Sequence, residues 1–221
     1  MAQQLTMPAH KVIVCNALTV DELALVEPLA VGLHAARRAQ INVGEWVAVI
    51  GCGVIGLGAI AAASAMGARV IAIDIDDRKQ NIALACGARR FLNSQQSDVV
   101  AELAQLNDER GPDVVIEAVG NQQTIEQSVD LAAFSGRVVY VGYAKKPVSY
   151  QSATFLMKEL DIRGSRNATV ADFRAVLALM ESGRYPVEKL VSAHYPLEQA
   201  GRAFSDWAND PGAYTKILID L

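Results

Sequence analysis

The stretch V-A-V-I-G-C-G-V-I-G, residues 47–56, decides the fold, because an apolar strand runs directly into a glycine turn that opens an apolar helix. We expect Gly51 to make the tight turn, Gly53 to let the backbone approach a pyrophosphate, and Gly56 to let the helix pack closely on the strand. The free amides and the positive dipole end at the helix N-terminus favour an anion there. The stretch therefore predicts a phosphate-binding turn built from backbone.

The next strand, R-V-I-A-I-D at 69–74, ends in an acidic residue 18 positions after Gly56, close to the ~20 typical of a ribose-binding carboxylate. Asp74 can accept hydrogen bonds from both hydroxyls of an adenosine ribose, and it would repel a 2′-phosphate. The spacing therefore predicts NAD rather than NADP as cofactor. Arg78 and Lys79 follow closely enough to weaken that preference, and the sequence does not fix their directions. A glycine turn that binds nothing is the alternative.

The rest of the chain alternates apolar runs with helical patterns, which predicts an α/β fold with a doubly wound parallel sheet, the Rossmann fold. A smaller C-terminal unit is expected to follow Gly164. Helices are predicted at 77–86, 97–107, 124–133 and 196–208, and strands at 90–92, 113–120, 137–142, 160–164 and 214–221. A capping box at 169–172 predicts one more helix, with a core-facing stripe at Phe173, Val176, Leu177 and Met180.

Composition bounds the class of protein. The chain has 221 residues, of which 52% are hydrophobic and 20% charged, enough for a sizeable core in one or two domains. A net charge of −4 without a basic, aromatic-interleaved stripe argues against a nucleic-acid partner. The most apolar segment, 54–66, is too short and too rich in small residues to span a membrane, and the first ten residues do not resemble a secretory leader. A cytoplasmic protein without a membrane partner is expected.

The three cysteines, Cys15, Cys52 and Cys86, are spaced too widely to form a C-x-x-C pair or a disulfide framework. Each is expected to be reduced and buried.

Four segments together resemble the zinc-dependent medium-chain alcohol dehydrogenases, and most closely their sorbitol and polyol dehydrogenase branch. They are V-E-P-L-A-V-G-L-H-A-A-R-R-A at 26–39, the I-G-C-G-V-I-G turn, the A-I-D strand end, and D-V-V-I-E-A-V-G at 113–120. The resemblance extends from about Pro8 to the last strand. It implies NAD-dependent oxidation of a secondary alcohol, such as a polyol, sugar alcohol or sugar acid, with a zinc ion polarising the alkoxide. It also implies a homo-oligomer, either a dimer or a tetramer.

The resemblance also assigns candidate site residues. Gly51, Gly53, Ile55 and Gly56 would bind the pyrophosphate, Asp74 and Lys79 the adenosine ribose, and Val141, Gly142 and Tyr143 the nicotinamide half, with Arg166 as a basic residue near the cofactor. Glu27 stands where the family has a carboxylate at or just behind the catalytic zinc. No residue is assigned as catalytic.

Glu27 precedes Pro28, which disfavours α geometry at Glu27 and predicts a bend or break in the helix. A carboxylate at a break is free to point into a cleft, although a solvated or capping glutamate is the simpler reading. His34 is expected to be a packed helix histidine rather than a ligand. His10 and His194 lack acidic or cysteine neighbours at ligand spacing.

The sequence departs from the family pattern in one large respect. Full-length members begin with a catalytic, GroES-like domain that supplies a cysteine and a histidine to the zinc, and that pattern is absent here. A catalytic zinc takes three protein ligands, so this chain alone is expected not to hold the metal tightly. The expected organisation is a remnant of the catalytic domain at 1–25, an NAD-binding domain at 26–165, and a C-terminal segment at 166–221 that packs toward the mostly absent domain.

Three functions therefore stay open. The first is the cofactor-binding part of a zinc-type, NAD-dependent alcohol dehydrogenase acting on a small alcohol. The second is an NAD-binding module without chemistry of its own, completed by another chain. The third is a zinc-free reductase of the quinone or enoyl type, which Asp74 disfavours because those enzymes usually take NADPH. The sequence does not name the alcohol, and activity of the isolated chain stays undecided.

Overall fold

The computed structural model describes residues 4–183 and 185–221, which form two sheets and nine α-helices. The strands are β1 Trp46–Ile50, β2 Arg69–Asp74, β3 Arg90–Asn93, β4 Val114–Glu117, β5 Arg137–Tyr140, β6 Asp161–Gly164, β7 Val191–Pro196 and β8 Lys216–Asp220. The helices are α1 Val20–Arg38, α2 Val54–Ala65, α3 Gln80–Ala85, α4 Val99–Ala104, α5 Gln122–Leu131, α6 Ser152–Lys158, α7 Val170–Glu181, α8 Val187–Leu190 and α9 Ala200–Asn209.

The larger sheet has six parallel strands in the order β3-β2-β1-β4-β5-β6. The chain moves outward on one side of β1 and then crosses over to β4, which confirms the predicted doubly wound Rossmann fold. In such folds ligands bind outside the carboxyl ends of the strands, at the point where the strand order reverses. Here that point lies between β1 and β4, where Ile50 pairs with Glu117.

Both faces of the six-stranded sheet are covered. Successive side chains on a strand point to opposite faces, so Val47 and Val49 pack among α1, α2 and α7, whereas Ala48 and Ile50 pack against α4 and α5. A parallel sheet buried on both faces explains why its strands read as nearly continuous apolar runs. The core is thus divided into two layers by the sheet.

The predicted interruption at Glu27 is wrong. Helix α1 continues through Pro28, although proline lacks the amide for one helical hydrogen bond. Packing outweighs this local cost, because Leu29 is fully buried and Gly32 lies directly on the first turn of α2. A Cβ at Gly32 would lie 2.3 Å from the Ile55 carbonyl oxygen.

The C-terminal part differs from prediction at the short helix α8, at β7 and at the start of α9. The capping box between Thr169 and Asp172 is confirmed at the start of α7, and Val176 and Met180 are buried as expected. The sequence did not predict β7, which pairs in parallel with β8 to form a separate two-stranded sheet. The predicted helix from Pro196 is a short 3-10 turn followed by α9.

The cysteines are free thiols. Cys52 and Cys86 are buried as predicted, but Cys15 is only half-buried, with its sulfur 3.7 Å from Oε1 of Glu181. Cys15 lies before α1, outside both layers of the core. Within the described part of the chain, no helix combines the length and apolar character needed to cross a membrane.

Candidate functional site: the carboxyl edge of the sheet

The glycine turn between β1 and α2 has the steric features expected from its sequence. Gly51 has a φ of +96°, and its amide donates to the carbonyl of Ile73 at 2.8 Å. A Cβ at Gly56 would lie 1.9 Å from the Gly51 carbonyl oxygen, so only glycine permits this close packing of helix on strand. Gly53 is different, because it is exposed and a Cβ there would meet nothing within 4 Å. The open side of the turn therefore lies at Gly53.

The N-terminus of α2 faces this open side. Gly53 is its N-cap residue, and no side chain caps the helix there. The first amides of a helix have no intrahelical acceptor and carry the positive end of its dipole, which suits an anion such as pyrophosphate. Ile55 lies half-buried in this first turn, and only its backbone can offer a polar group to such an anion.

Asp74 ends β2 beside the turn. Its Oδ2 accepts the amide of Cys52 at 2.6 Å, and its Oδ1 accepts the amide of Asp76 at 3.1 Å. A carboxylate oxygen can accept more than one hydrogen bond, and Asp74 is only half-buried. Asp74 is thus fixed in position and retains acceptor capacity for ribose hydroxyls.

The two cations after Asp74 are both directed to the C-terminal segment. Lys79 is nearly buried, and its Nζ donates to the Tyr214 carbonyl and to Oγ1 of Thr215, each at 3.2 Å. Burial lowers the pKa of Lys79, against the opposing effect of the nearby Asp74 carboxylate. Arg78 pairs with acidic side chains instead. The structure therefore places Lys79 close to Asp74 and holds Arg78 in ion pairs.

The loops after β4 and β5 are locked together through Glu117. Its carbonyl oxygen accepts the amides of Val141 and Gly142 at 2.9 and 3.1 Å. A Cβ at Gly142 would lie 2.2 Å from the Gly120 amide nitrogen, so the two loops are in direct backbone contact. Val141 is half-buried and Tyr143 is exposed. These are the positions predicted for the nicotinamide half.

Glu117 is a residue of this edge that was not predicted from the sequence. It is fully buried, and its Oε1 accepts the amides of Val119 and Gly120 and the hydroxyl of Thr124, at 2.9, 2.8 and 2.8 Å. Oε2 finds no hydrogen-bond partner among the described residues. A carboxylate inside an otherwise apolar strand is the signal that would have identified it, because buried acids require dedicated partners.

Arg166 follows β6, and the amide of Ser165 before it donates to the carbonyl of Tyr140 at 2.8 Å. Arg166 is exposed and lies at the carboxyl edge of β6. The predicted cofactor residues therefore occupy one edge of the sheet, with Asp74 and Arg166 at the ends of strands on opposite sides of the switch point.

The residues do not fit a zinc site. Glu27 is exposed on the continuous helix α1. Residues 4–183 and 185–221 contain no group of three or more His, Cys, Asp and Glu side chains that could hold a metal ion. His34 is a packed helix histidine, as expected, with Nδ1 2.8 Å from Oδ2 of Asp172.

A cavity of about 340 Å³ separates the glycine turn from the C-terminal unit. Its walls include Val54 at the start of α2, Trp207 of α9 and Lys216 of β8. Neither Trp207 nor Lys216 was predicted to line a site, because nothing local in the sequence places α9 and β8 next to α2.

The chain is similar to dehydrogenases of sugar acids and polyols. Residues 54–182 match the family described as zinc-binding dehydrogenase. L-galactonate-5-dehydrogenase of Escherichia coli is 34% identical over 195 residues, covering 88% of this chain and 57% of that protein. D-xylulose reductase of Scheffersomyces stipitis is 35% identical over 206 residues, covering 89% of this chain and 56% of that protein. The chain therefore spans just over half the length of these relatives.

A solved structure shows the same fold with a cofactor. The crystal structure of a protein from Sinorhizobium meliloti 1021, bound to NADP, is 29% identical and superimposes with a TM-score of 0.84. The match covers 94% of this chain and 61% of that one. The parallel sheet and its helices are common to both.

Proposed function

Because this chain belongs to the zinc-dependent medium-chain alcohol dehydrogenase superfamily, in its polyol-dehydrogenase-like branch, we propose that it binds NAD as the cofactor-binding part of an oxidoreductase. The substrate would be a secondary alcohol of the polyol, sugar alcohol or sugar acid class. The names of the relatives support the substrate class, since one acts on L-galactonate and another is a D-xylulose reductase.

One observation carries the proposal of a dinucleotide site: the hydrogen bond of 2.6 Å between the Cys52 amide and the Asp74 carboxylate. It joins the candidate pyrophosphate turn to the candidate ribose acceptor and fixes their separation. An adenosine ribose and the phosphates attached to it require two such features side by side. The Asp74 charge supports NAD over NADP, because a 2′-phosphate would face a like charge.

The residues of this chain would bind and orient the cofactor. The α2 N-terminus and the glycine turn would hold the pyrophosphate, and Asp74 would accept the ribose hydroxyls. The linked loops at Gly120 and Gly142 would position the nicotinamide half at the end of β4 and β5. When bound, NAD supplies the acceptor for the hydride that leaves the alcohol carbon. Because the described residues do not form a zinc site, no step through zinc is assigned to this chain.

A second candidate is an NAD-binding module that has no chemistry of its own and is completed by another chain. The position of Glu27 favours it, since this predicted metal ligand is exposed on an uninterrupted helix rather than directed into a cleft. The two candidates share the NAD site and differ only in whether this chain oxidises an alcohol.

Calorimetric titration of the purified chain with NAD and with NADP, beside metal analysis of the same sample, tests the proposal. We expect saturable NAD binding and weaker NADP binding. Absence of NAD binding by a folded chain would overturn both candidates. NADH formation from a polyol that a chelator abolishes would exclude the module, whereas binding without turnover would favour it. Homo-oligomer formation, also proposed from the family, is measured on the same sample by light scattering.

A further inference from the structure

The turn after β2 carries two cations, Arg78 and Lys79, that a 2′-phosphate on the adenosine ribose would attract. The structure directs both of them to one part of the C-terminal segment, residues 210–215, which we call the C-terminal turn. Lys79 donates to Tyr214 and Thr215. Arg78 donates to Asp210, which is 132 positions away in sequence.

Asp210 occupies one edge of the Arg78 guanidinium. Nη1 of Arg78 lies 2.9 Å from Oδ2 of Asp210, and Nη2 lies 2.9 Å from Oδ1. Asp76 occupies the neighbouring edge, with Nε at 3.0 Å from both its oxygens and Nη2 at 2.7 Å from Oδ2. A paired Nη1–Nη2 edge is the one that a phosphate would otherwise bind with two parallel hydrogen bonds.

The C-terminal turn lies directly on this ion pair. A Cβ at Gly212 would be 2.0 Å from Oδ2 of Asp76 and 2.2 Å from Nη2 of Arg78, so the backbone of the turn lies against the ion pair. Asp210 also accepts the Ala213 amide at 3.3 Å, which caps the 3-10 turn Pro211–Ala213. The carboxylate of Asp210 is therefore presented to Arg78 by a fixed backbone.

The ion pair is one hydrogen bond away from the candidate ribose acceptor. The Asp76 amide donates to Oδ1 of Asp74 at 3.1 Å, while the Asp76 side chain pairs with Arg78. This corner carries three negative charges, from Asp74, Asp76 and Asp210. Its two cations, Arg78 and Lys79, already donate hydrogen bonds to other groups.

We propose that the C-terminal turn, through Asp210, is a determinant of cofactor choice that holds Arg78 away from the 2′-position of the adenosine ribose. This inference rests on the proposed function, in which that ribose lies at Asp74. It adds a second discrimination against NADP, supplied from the opposite end of the chain. Asp210 is a specificity-determining residue that acts through Arg78 and does not touch the cofactor.

The test is the ratio of NADP to NAD affinity, measured by calorimetry on the full chain, in Asp210→Asn, Arg78→Ala and the double variant. Asn retains the shape and can still cap Ala213, and Asp210→Ser is a second capping variant. We expect Asp210→Asn to tighten NADP binding on the order of fivefold, the scale of one partly exposed charge pair, with NAD affinity unchanged. In the Arg78→Ala background the gain should disappear.

The matched control is Glu102→Gln, which removes one negative charge from an exposed ion pair with Arg90 at 2.6 Å. It should leave the ratio unchanged. The role of Asp210 would be overturned if Asp210→Asn left the ratio of NADP to NAD affinity unaltered, or if the double variant gained as much NADP affinity as Asp210→Asn does. In either case, NAD binding by the wild type would still uphold the proposed function. Failure of the folded wild-type chain to bind NAD would overturn both.

Discussion

The carboxylate of Asp74 accepts the backbone amide of Cys52 at 2.6 Å, so the end of β2 is bonded directly to the glycine turn after β1. The two strands are neighbours in the sheet, with Ile50 paired to Ile73. Two features that lie 22 positions apart in sequence thereby form one corner of the site. The sheet therefore fixes the separation between the candidate pyrophosphate turn and the candidate ribose acceptor.

Replacing Asp74 with Ser should weaken NAD binding and improve NADP relative to NAD. A hydrogen bond to a charged acceptor is worth about 1.5–3 kcal/mol, so NAD affinity should fall about tenfold or more, while the repulsion of a 2′-phosphate is removed. Calorimetry with both cofactors measures the ratio. Asp161→Ser removes an equal charge at the start of β6 and should not change it. An unchanged ratio in Asp74→Ser would remove Asp74 from the site.

Two glycine-to-alanine variants should separate binding from folding. In Gly53→Ala the new methyl group meets nothing within 4 Å. The free energy of unfolding should therefore fall by at most about 1 kcal/mol, because alanine is a poorer N-cap residue than glycine. NAD affinity should drop, because the methyl group occupies the open side of the turn. In Gly56→Ala the methyl would lie 1.9 Å from the Gly51 carbonyl oxygen, which should destabilise the chain by about 1–3 kcal/mol.

Urea unfolding and NAD titration on both variants measure these effects. Full NAD affinity in Gly53→Ala would contradict the placement of the pyrophosphate. Unchanged stability in Gly56→Ala would contradict the close contact between α2 and the turn.

Strands β1, β2, β4 and β5 are predictable because each contains a short apolar run that is followed by a polar residue or a glycine. β4 lies within the predicted 113–120 and β5 within 137–142. β7 is different, because its side chains alternate between half-buried and exposed and its sequence, V-S-A-H-Y-P, lacks a continuous apolar run. A strand that contributes little to a core leaves little hydrophobic signal.

The prediction of a break at Glu27 was wrong because tertiary packing outweighs the local effect of Pro28 on the residue before it. Pro28 is itself buried, and Leu25 and Leu29 on either side of it are fully buried. Their packing with α2 and α7 keeps the helix continuous. Propensity is only a weak prior when a helix is packed along most of its length.

The candidate site was predictable where its residues are local in sequence. The glycine turn and Asp74 both stand at the ends of adjacent strands, and their spacing carries the signal. The contact between Arg78 and Asp210 crosses 132 positions, and the packing of Gly142 against Gly120 depends on the pairing of β4 with β5. No short motif encodes either contact.

Replacing Asp172 with Asn should remove an acid-sensitive part of the stability. Burial alone would raise the pKa of Asp172, but hydrogen bonds from Thr169, Arg37 and His34 outweigh it and hold the pKa below its ordinary value. The carboxylate therefore stabilises the fold fully above the unfolded pKa of about 3.9, and this contribution is lost as the pH falls through the lower folded pKa.

At pH 7 the unfolding free energy of the Asp172→Asn variant should fall by about 1–3 kcal/mol, because the carboxylate is buried and hydrogen-bonded while its partner Arg37 is 42% exposed and therefore screened by solvent. Below about pH 4 its unfolding free energy should change less steeply than that of the wild type. Urea unfolding across this range measures both. Glu22→Gln alters the other capping box, where the acid is paired with Thr19 alone, and should cost much less. Equal losses in the two variants would refute the special role of the buried cluster.

Thiol reactivity should distinguish Cys15 from the other two cysteines. Burial raises the pKa of Cys86 to about 12 and that of Cys52 further, so neither thiol forms the reactive thiolate near pH 8. Cys15 is half-buried and lies outside the core.

A disulfide reagent should therefore modify one thiol per chain rapidly and the remaining two only on unfolding. Cys15→Ser should abolish the rapid phase, whereas Cys86→Ser should retain it. Rapid reaction at Cys52 would mean that the glycine turn opens on the timescale of labelling, which the bond from its amide to Asp74 is expected to prevent.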